Sequence, residues 1–553
     1  MSCERVIVSS RVFTGMGDRT RALAIGINGG LITAVVPADQ ADALVGPATD
    51  VRDYGDGLIT YGLHDAHEHV LHAALFPSAL ATQYVGTSEE DEIAHLVEFA
   101  RTLPEPGGAG GTDGAGDPGW VLAHGWRSAL WNDPTTPTNA KLNAAFPDRP
   151  VALYSGDSHT LWLNARGLAE LGIDEATEPP AGGSFDRDAD GHLTGVLHEA
   201  ASMAYVARLI GMLPDDALLA VYRDYIRRLN AMGITAVCDM ALSLIPGADS
   251  IRPDIYRRLL DAGELTVRAH LFPTLTDDES NLEDMQAALT GPFLRAPGFK
   301  QFFDGVSSEH TAWCSEEYAN PRFPGDVGRP TVPPERRRER VLAAASRGHA
   351  VRIHTIGDAA VHAAIDIFDE AYRTYGAPTQ GANTMEHIED IQPADIARLA
   401  QAHVVASVQP PHVVLDLVQP DRDLGPERAA RMWPFDEFER AGVTTAYGTD
   451  APVVGPSSMD VLYTAVTRRT PDTHEPADGW HPEHRVSRAQ ALRAYTAGSA
   501  AAVGRGDELG TIAPGRWADL AVWDHDLLTC ADDEIQGTRC LATYVAGEAV
   551  YEA

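Results

Sequence analysis

The chain has 553 residues, with 43 Lys and Arg against 79 Asp and Glu and a formal charge of −36. Such an excess of carboxylates repels nucleic-acid phosphates and anionic lipid, and a composition of 44% hydrophobic and 22% charged residues excludes a disordered tail, a fibre or a membrane protein. At roughly 100 to 200 residues per domain the length allows two to four units, or one barrel with large additions.

The chain opens with short β-rich runs, RVIVSSRVFTG and ALAIGINGGLITAVV, in which Asn28-Gly29-Gly30 is a hairpin signal. From about residue 58 to residue 505, apolar β-branched runs alternate with amphipathic helical patterns, the signature of βα units around a parallel sheet. Eight stretches read as buried strands: 58–69, 234–240, 266–275, 298–305, 350–358, 383–389, 403–410 and 443–452. Helical stretches follow at 252–263, 334–348, 359–374 and 393–402. The fold class is therefore α/β, and eight is the strand number of a (β/α)8 TIM-like barrel. Between the first and second strand lies an excess of roughly 165 residues, which predicts a large insertion at about 75–230, where catalytic loops sit. Within it the Gly-rich stretch 104–119 reads as a surface loop, because the Lys and Ser/Thr that a phosphate cradle needs after it are absent. At the far end GTIAPGRWADLAVWDHD and CLATYVAGEAVYEA repeat the β texture of the opening, with a hairpin expected at Gly547-Glu548. Both ends read as one sheet domain.

The nearest basic runs, RRRER at 336–340 and RRT at 468–470, read as solvated surface, so no nucleic-acid partner is expected. Cys3, Cys238, Cys314, Cys530 and Cys540 form neither a CxxC pair nor a disulfide framework, which fits a reducing compartment. No stretch reaches the ~18 apolar residues of a spanning helix, and MSCERVIVSS lacks a basic region followed by a long apolar one. A cytoplasmic protein with no membrane partner is the expectation.

The sharpest local signal is His67-Glu68-His69 at the end of the first barrel strand. On a strand, side chains at i and i+2 share a side, so the pair presents two imidazoles to one ion. Lys300, His354, His387 and Asp450 also fall near C-terminal ends of expected strands, which in a parallel barrel converge on one mouth. Each has a bland alternative: His354 and His387 as hydrogen-bonded core residues, Lys300 as a surface charge, Asp450 as a helix cap. Their joint placement is what argues for a shared centre.

In these segments the chain resembles the metal-dependent amidohydrolase superfamily, and within it the branch of N-substituted formamide deformylase-like and YtcJ-like hydrolases, amidohydrolase family 3. The likeness is carried by GLHDAHEH at the first strand, SGDSHTLWLNARGL in the insertion, FKQFFDG around Lys300, IHTIGDAAV around His354, MEHIEDIQPADI around His387, SVQPPH at 407–412, YGTDAPV around Asp450, and the closing LGTIAPGRWADLAVWD. It implies a small composite β-sandwich from residues 1–57 and 506–553 beside a TIM barrel over 58–505. It also implies His67 and His69 as ligands of a more buried metal, and His354 and His387 as ligands of a second metal or substrate-side groups. Lys300 matches a lysine that is carboxylated and bridges two ions, and Asp450 a metal-binding aspartate that serves as general base and then general acid. The implied cofactor is Zn²⁺, one ion or two, with two favoured if Lys300 is carboxylated.

The chemistry of the residue types agrees. Imidazole and carboxylate suit zinc, which lowers the pKa of bound water from 15.7 to about 7. A free lysine beside dications is unfavourable, whereas its carbamate is an anionic oxygen ligand. The opening motif departs from the family pattern at His64, where Ile or Val is usual; strand alternation aims His64 away from the face of His67 and His69, so it reads as packing or support for the ligands.

For the pocket, Trp126, Trp131, His159, Trp162, His310 and Trp313 lie in segments that border the mouth, and aromatic walls with few cations favour a neutral substrate with an apolar or aromatic part. The alternative is that several of them form insertion core. Asp157 and Asn164 read as loop-fixing residues. The function expected is hydrolysis of a non-peptide amide-type C–N bond in an N-substituted formamide, N-acyl or cyclic amide, the small-molecule partner, by metal-activated water with Asp450 moving the proton. An esterase or lactonase on the same centre is one alternative, and a non-catalytic metal-binding or regulatory protein on the scaffold is another. The family likeness suggests a homodimer.

Overall fold

The structure is a computed structural model that describes residues 2–104, 119–242 and 249–553. Most of the Gly-rich stretch, residues 105–118, lies outside the described residues.

Eight parallel strands form the centre: β1 (Leu63–Glu68), β2 (Ile234–Met240), β3 (Arg268–Phe272), β4 (Gly298–Phe302), β5 (Ala350–Thr355), β6 (Thr384–His387), β7 (Val405–Val408) and β8 (Thr445–Tyr447). Every residue in them is buried. This is why the sequence reads as near-continuous apolar runs: helices cover one face and the strands' own side chains fill the other. Helices Pro253–Asp261, Pro334–Ser346, Asp358–Tyr375 and Pro393–Gln401 follow their strands. Three of them begin on proline, whose missing N–H costs nothing in the first turn.

Ladder pairing runs in two arcs, β1-β2-β3 and β4 to β8, and is not continuous around the ring. One seam is crossed by a single parallel bridge between Thr274 and Lys300. At the other, Asp450 N donates to His67 O at 2.7 Å and His69 N to Ala451 O at 2.9 Å. Gly448 permits that approach, since a Cβ there would lie 2.5 Å from the His67 nitrogen.

The expected strand 58–69 is two strands. Leu58–Tyr61 belongs to another sheet, and β1 begins only at Leu63. Between them a Cβ on Gly62 would sit 2.2 Å from Thr235 Cγ2, so the chain turns where β2 crowds it. The sheet that takes Leu58–Tyr61 has eight strands drawn from both chain ends: seven in the order 548–552, 540–545, 520–523, 58–61, 5–12, 21–28, 31–37, and Asp50–Asp53 beside Arg5–Val12 off that path. Arg5–Val12 pairs in parallel with Asp50–Asp53 along its first half and with Leu58 and Ile59 at its end, so the sheet forks there.

Between β1 and β2 the insertion builds a six-stranded mixed sheet in the order 183–187, 193–199, 160–163, 151–155, 121–126, 82–83. Trp126, Trp131 and Trp162 pack in its core with Val121, Val151 and Leu153. Among the described residues no helix is long and apolar enough to cross a membrane.

Candidate metal centre

His67 and His69, at the C-terminal end of β1, turn their Nε2 atoms to within 3.4 and 3.2 Å of Asp450 Oδ1. Their other nitrogens fix that orientation: His67 Nδ1 donates to Glu386 Oε2 at 2.6 Å, and His69 Nδ1 to the Met240 carbonyl at 2.8 Å. The His387 ring lies 4.9 Å from that of His67 and 4.5 Å from that of His354. His387 Nδ1 donates to Gln409 Oε1 at 2.8 Å, and His354 Nε2 to the Gly305 carbonyl at 3.0 Å. Each imidazole thus has one nitrogen spent on an acceptor and the other left for a ligand bond. Both His387 and Asp450 have left-handed backbone, with φ of 72° and 60°, a conformation costly for non-glycine residues that re-aims their side chains at the ends of β6 and β8.

Charge states follow from burial. Burial, reinforced by Lys300, brings His67 down to about 4, and burial likewise takes His354 and His387 well below the usual imidazole range. Burial lowers the Lys300 amine to about 8. For Asp450 burial works the other way, but His67, His69 and His387 outweigh it and hold the carboxylate charged. Neutral imidazoles, a poised amine and a carboxylate are the donor set that a divalent cation takes. The fit is tested by what lacks a partner: His67 Nε2, Lys300 Nζ, His412 Nε2 and Asp450 Oδ1 are all buried and make no hydrogen bond. Leaving four such atoms desolvated costs about 1–3 kcal/mol each, which ligation offsets.

The cluster floors a pocket walled by the insertion, by residues 306–309 and by Trp433 and Val453. Trp126 and His159 line it. Burial opposes a charge on His159, but Glu199, 2.8 Å from Nδ1, and Asp157 outweigh it and raise the imidazole to about 9. Three other expected substrate residues lie elsewhere. Trp162 is fully buried in the insertion core, 5.9 Å from Trp126, and its Nε1 donates to the Thr138 carbonyl. His310 is bonded to Asp326 at 2.7 Å and stacked on Tyr318, and Trp313 packs on Phe303. Trp131 is insertion core as well. Asn164 caps the helix Ala165–Glu170 through Gly167 N, and Asp157 accepts from Ser155 Oγ and His159 N, so both fix loops.

A family model described as "Amidohydrolase family" matches residues 50–551. The chain belongs to the amidohydrolase family. It is similar to the protein LONG AFTER FAR-RED 3 of Arabidopsis thaliana, 27% identical over 99% of this chain and 91% of that protein. It is also similar to the N-substituted formamide deformylase of Arthrobacter pascens, 26% identical over 99% of this chain and 98% of that one. Among solved structures, an uncharacterized metal-dependent hydrolase from Pyrococcus horikoshii superposes with a TM-score of 0.73 over 96% of this chain and 99% of its own, at 21% identity. Family and superposition together make the fold of this amidohydrolase a TIM-barrel type.

Two groups near the centre carry no isolated sequence signal. His412, in SVQPPH, lies with Nε2 3.7 Å from Asp450 Oδ2 and its ring stacked on His387. Glu386 precedes His387, and strand alternation would send the two to opposite faces, but the left-handed turn at His387 lets both serve the site. His64 stands apart, its Nε2 3.5 Å from Cys238 Sγ and its ring stacked on His270. These three side chains could hold a metal by type. Burial, with Arg352 and Arg505 nearby, takes His64 down to about 3, and Arg505 Nη1 already donates to His270 Nε2, so the local field disfavours a cation.

Proposed function

We propose that this amidohydrolase hydrolyses a non-peptide amide-type C–N bond, in an N-substituted formamide, N-acyl or cyclic amide with an apolar or aromatic part. The observation that carries the reading is the set of unpartnered, buried ligand atoms on His67, His412 and Asp450, all lining one pocket, with the unpartnered Lys300 Nζ buried in the neighbouring strand β4. His67, His69 and Asp450 would hold one divalent metal, and His354 and His387 a second, and Lys300 as its carbamate would add an anionic oxygen ligand. Zinc held there would acidify water and polarise the scissile carbonyl.

The chain's own groups do the rest. Asp450, kept charged by its imidazole neighbours, takes a proton from the attacking water as oxygen bonds to the carbonyl carbon. It returns that proton to the nitrogen as the C–N bond breaks, leaving a carboxylic acid and an amine. Trp126 and the apolar side chains of Leu242, Ile356 and Trp433 face the substituent and displace water from it. His159, held by Glu199, adds a positively charged group to the pocket wall.

The test is metal removal followed by a substrate screen. Chelation should abolish turnover and Zn²⁺ should restore it. On matched pairs of N-formyl, N-acyl or cyclic amides and their ester analogues, the amides should be the better substrates. A strong ester preference would overturn the amide assignment.

A further inference from the structure

Among the five imidazoles at the centre, His67, His69, His354, His387 and His412, His67 alone hydrogen-bonds a carboxylate through the nitrogen turned away from the ligand cluster. His69, His387 and His354 donate to neutral oxygens on Met240, Gln409 and Gly305. The partner of His67 is Glu386, whose second oxygen accepts from Arg352 Nε at 2.5 Å. None of these three side chains is exposed. Arg352 Nη2 also donates to the Ala66 carbonyl at 2.8 Å and to Ser407 Oγ at 3.2 Å.

One ion pair therefore ties together four strands beneath the site. It reaches β1 at Ala66 and His67, sits in β5 two residues before His354, sits in β6 beside His387, and touches β7 at Ser407. A buried ion pair is a poor device for stability alone, because desolvation consumes most of its attraction and an apolar pair of similar volume is often as stable. A carboxylate behind a ligand imidazole, by contrast, fixes its tautomer and direction and strengthens it as a donor.

We infer that Arg352 and Glu386 are positioning residues that set the affinity of the centre for its metal through His67. The inference rests on the metal-centre reading above. It is tested on purified full-length protein stripped of metal, by titrating Zn²⁺ in competition with a chromogenic chelator and following the melting temperature of the metal-free form in parallel. Glu386→Gln should bind zinc about 10- to 100-fold more weakly than the wild type. Because that change strands a buried guanidinium, the double variant Arg352→Met/Glu386→Gln supplies a neutral pair. It should keep the melting temperature of the metal-free wild type and still bind zinc more weakly by a similar factor. A merely structural role would move the melting temperature and leave zinc affinity alone. Either folded variant binding zinc within about twofold of the wild type overturns the inference while the metal reading stands. A wild-type protein that takes up no zinc overturns both.

Discussion

Asp450 holds a negative charge where burial alone would remove it, and it does so on a backbone conformation that non-glycine residues avoid. Strain of this kind costs about 1–3 kcal/mol and persists only where the surroundings impose it. Here they do: Asp450 N is bonded to His67 O, and the carboxylate lies between three imidazoles. An asparagine keeps the shape and one ligating oxygen but cannot accept a proton from water. Asp450→Asn should therefore retain bound metal, read by elemental analysis, while kcat falls by about 10²- to 10⁴-fold. A variant with full metal content and an undiminished kcat would remove Asp450 from the proton transfer.

At the scale of elements, the insertion sheet supplies one wall of the pocket, and the three tryptophans of its core divide between two jobs. Trp162 does not itself line the pocket, whereas Trp126 packs against it in the core and also faces the cavity. Truncating a buried tryptophan costs about 3–5 kcal/mol. Trp162→Ala should lower the melting temperature and leave KM unchanged; Trp126→Ala should lower the melting temperature and raise KM. Equal effects of both on KM would show that the core, not the pocket face, sets substrate affinity. The tryptophans also mark where local pattern stops being informative. Each of the eight strands was legible as a buried apolar run between turn residues, and His67, His69, His354, His387 and Asp450 stood out because few residue types bind metals and all fell at strand ends. Both indoles donate to backbone carbonyls, Trp162 to Thr138 and Trp126 to Leu153, so what separates them is which one reaches the cavity, and His310 is turned away by Asp326, placements that no periodicity reveals. The division of 58–69 into two strands arises likewise from distant neighbours, with Thr235 crowding Gly62 and Asp519 O accepting from Gly62 N.

Across the whole molecule, function and stability sit at opposite ends of the parallel strands. The centre lies at their C-terminal ends, while the sheet from the two termini is fastened near their N-terminal ends by Arg268, the first residue of β3. Its guanidinium pairs with Asp519 through bonds of 2.6 and 2.9 Å, both side chains are buried, and the Trp517 and Phe293 rings flank it. Asp519 in turn accepts from Ala546 N at 2.8 Å, so one carboxylate links β3 to the last hairpin of the chain. Removing one member of a buried pair leaves an uncompensated charge and costs about 3–5 kcal/mol, whereas replacing both with apolar groups is often near neutral. Asp519→Ala should therefore lose stability of that order in urea unfolding, and Arg268→Met/Asp519→Leu should recover most of it. Because the pair lies at the end of the strands away from the ligand cluster, kcat per folded molecule should be unchanged in both variants. A fall in kcat with metal content intact would mean that the terminal sheet acts on the centre through β3, and the separation of the two ends would have to be given up.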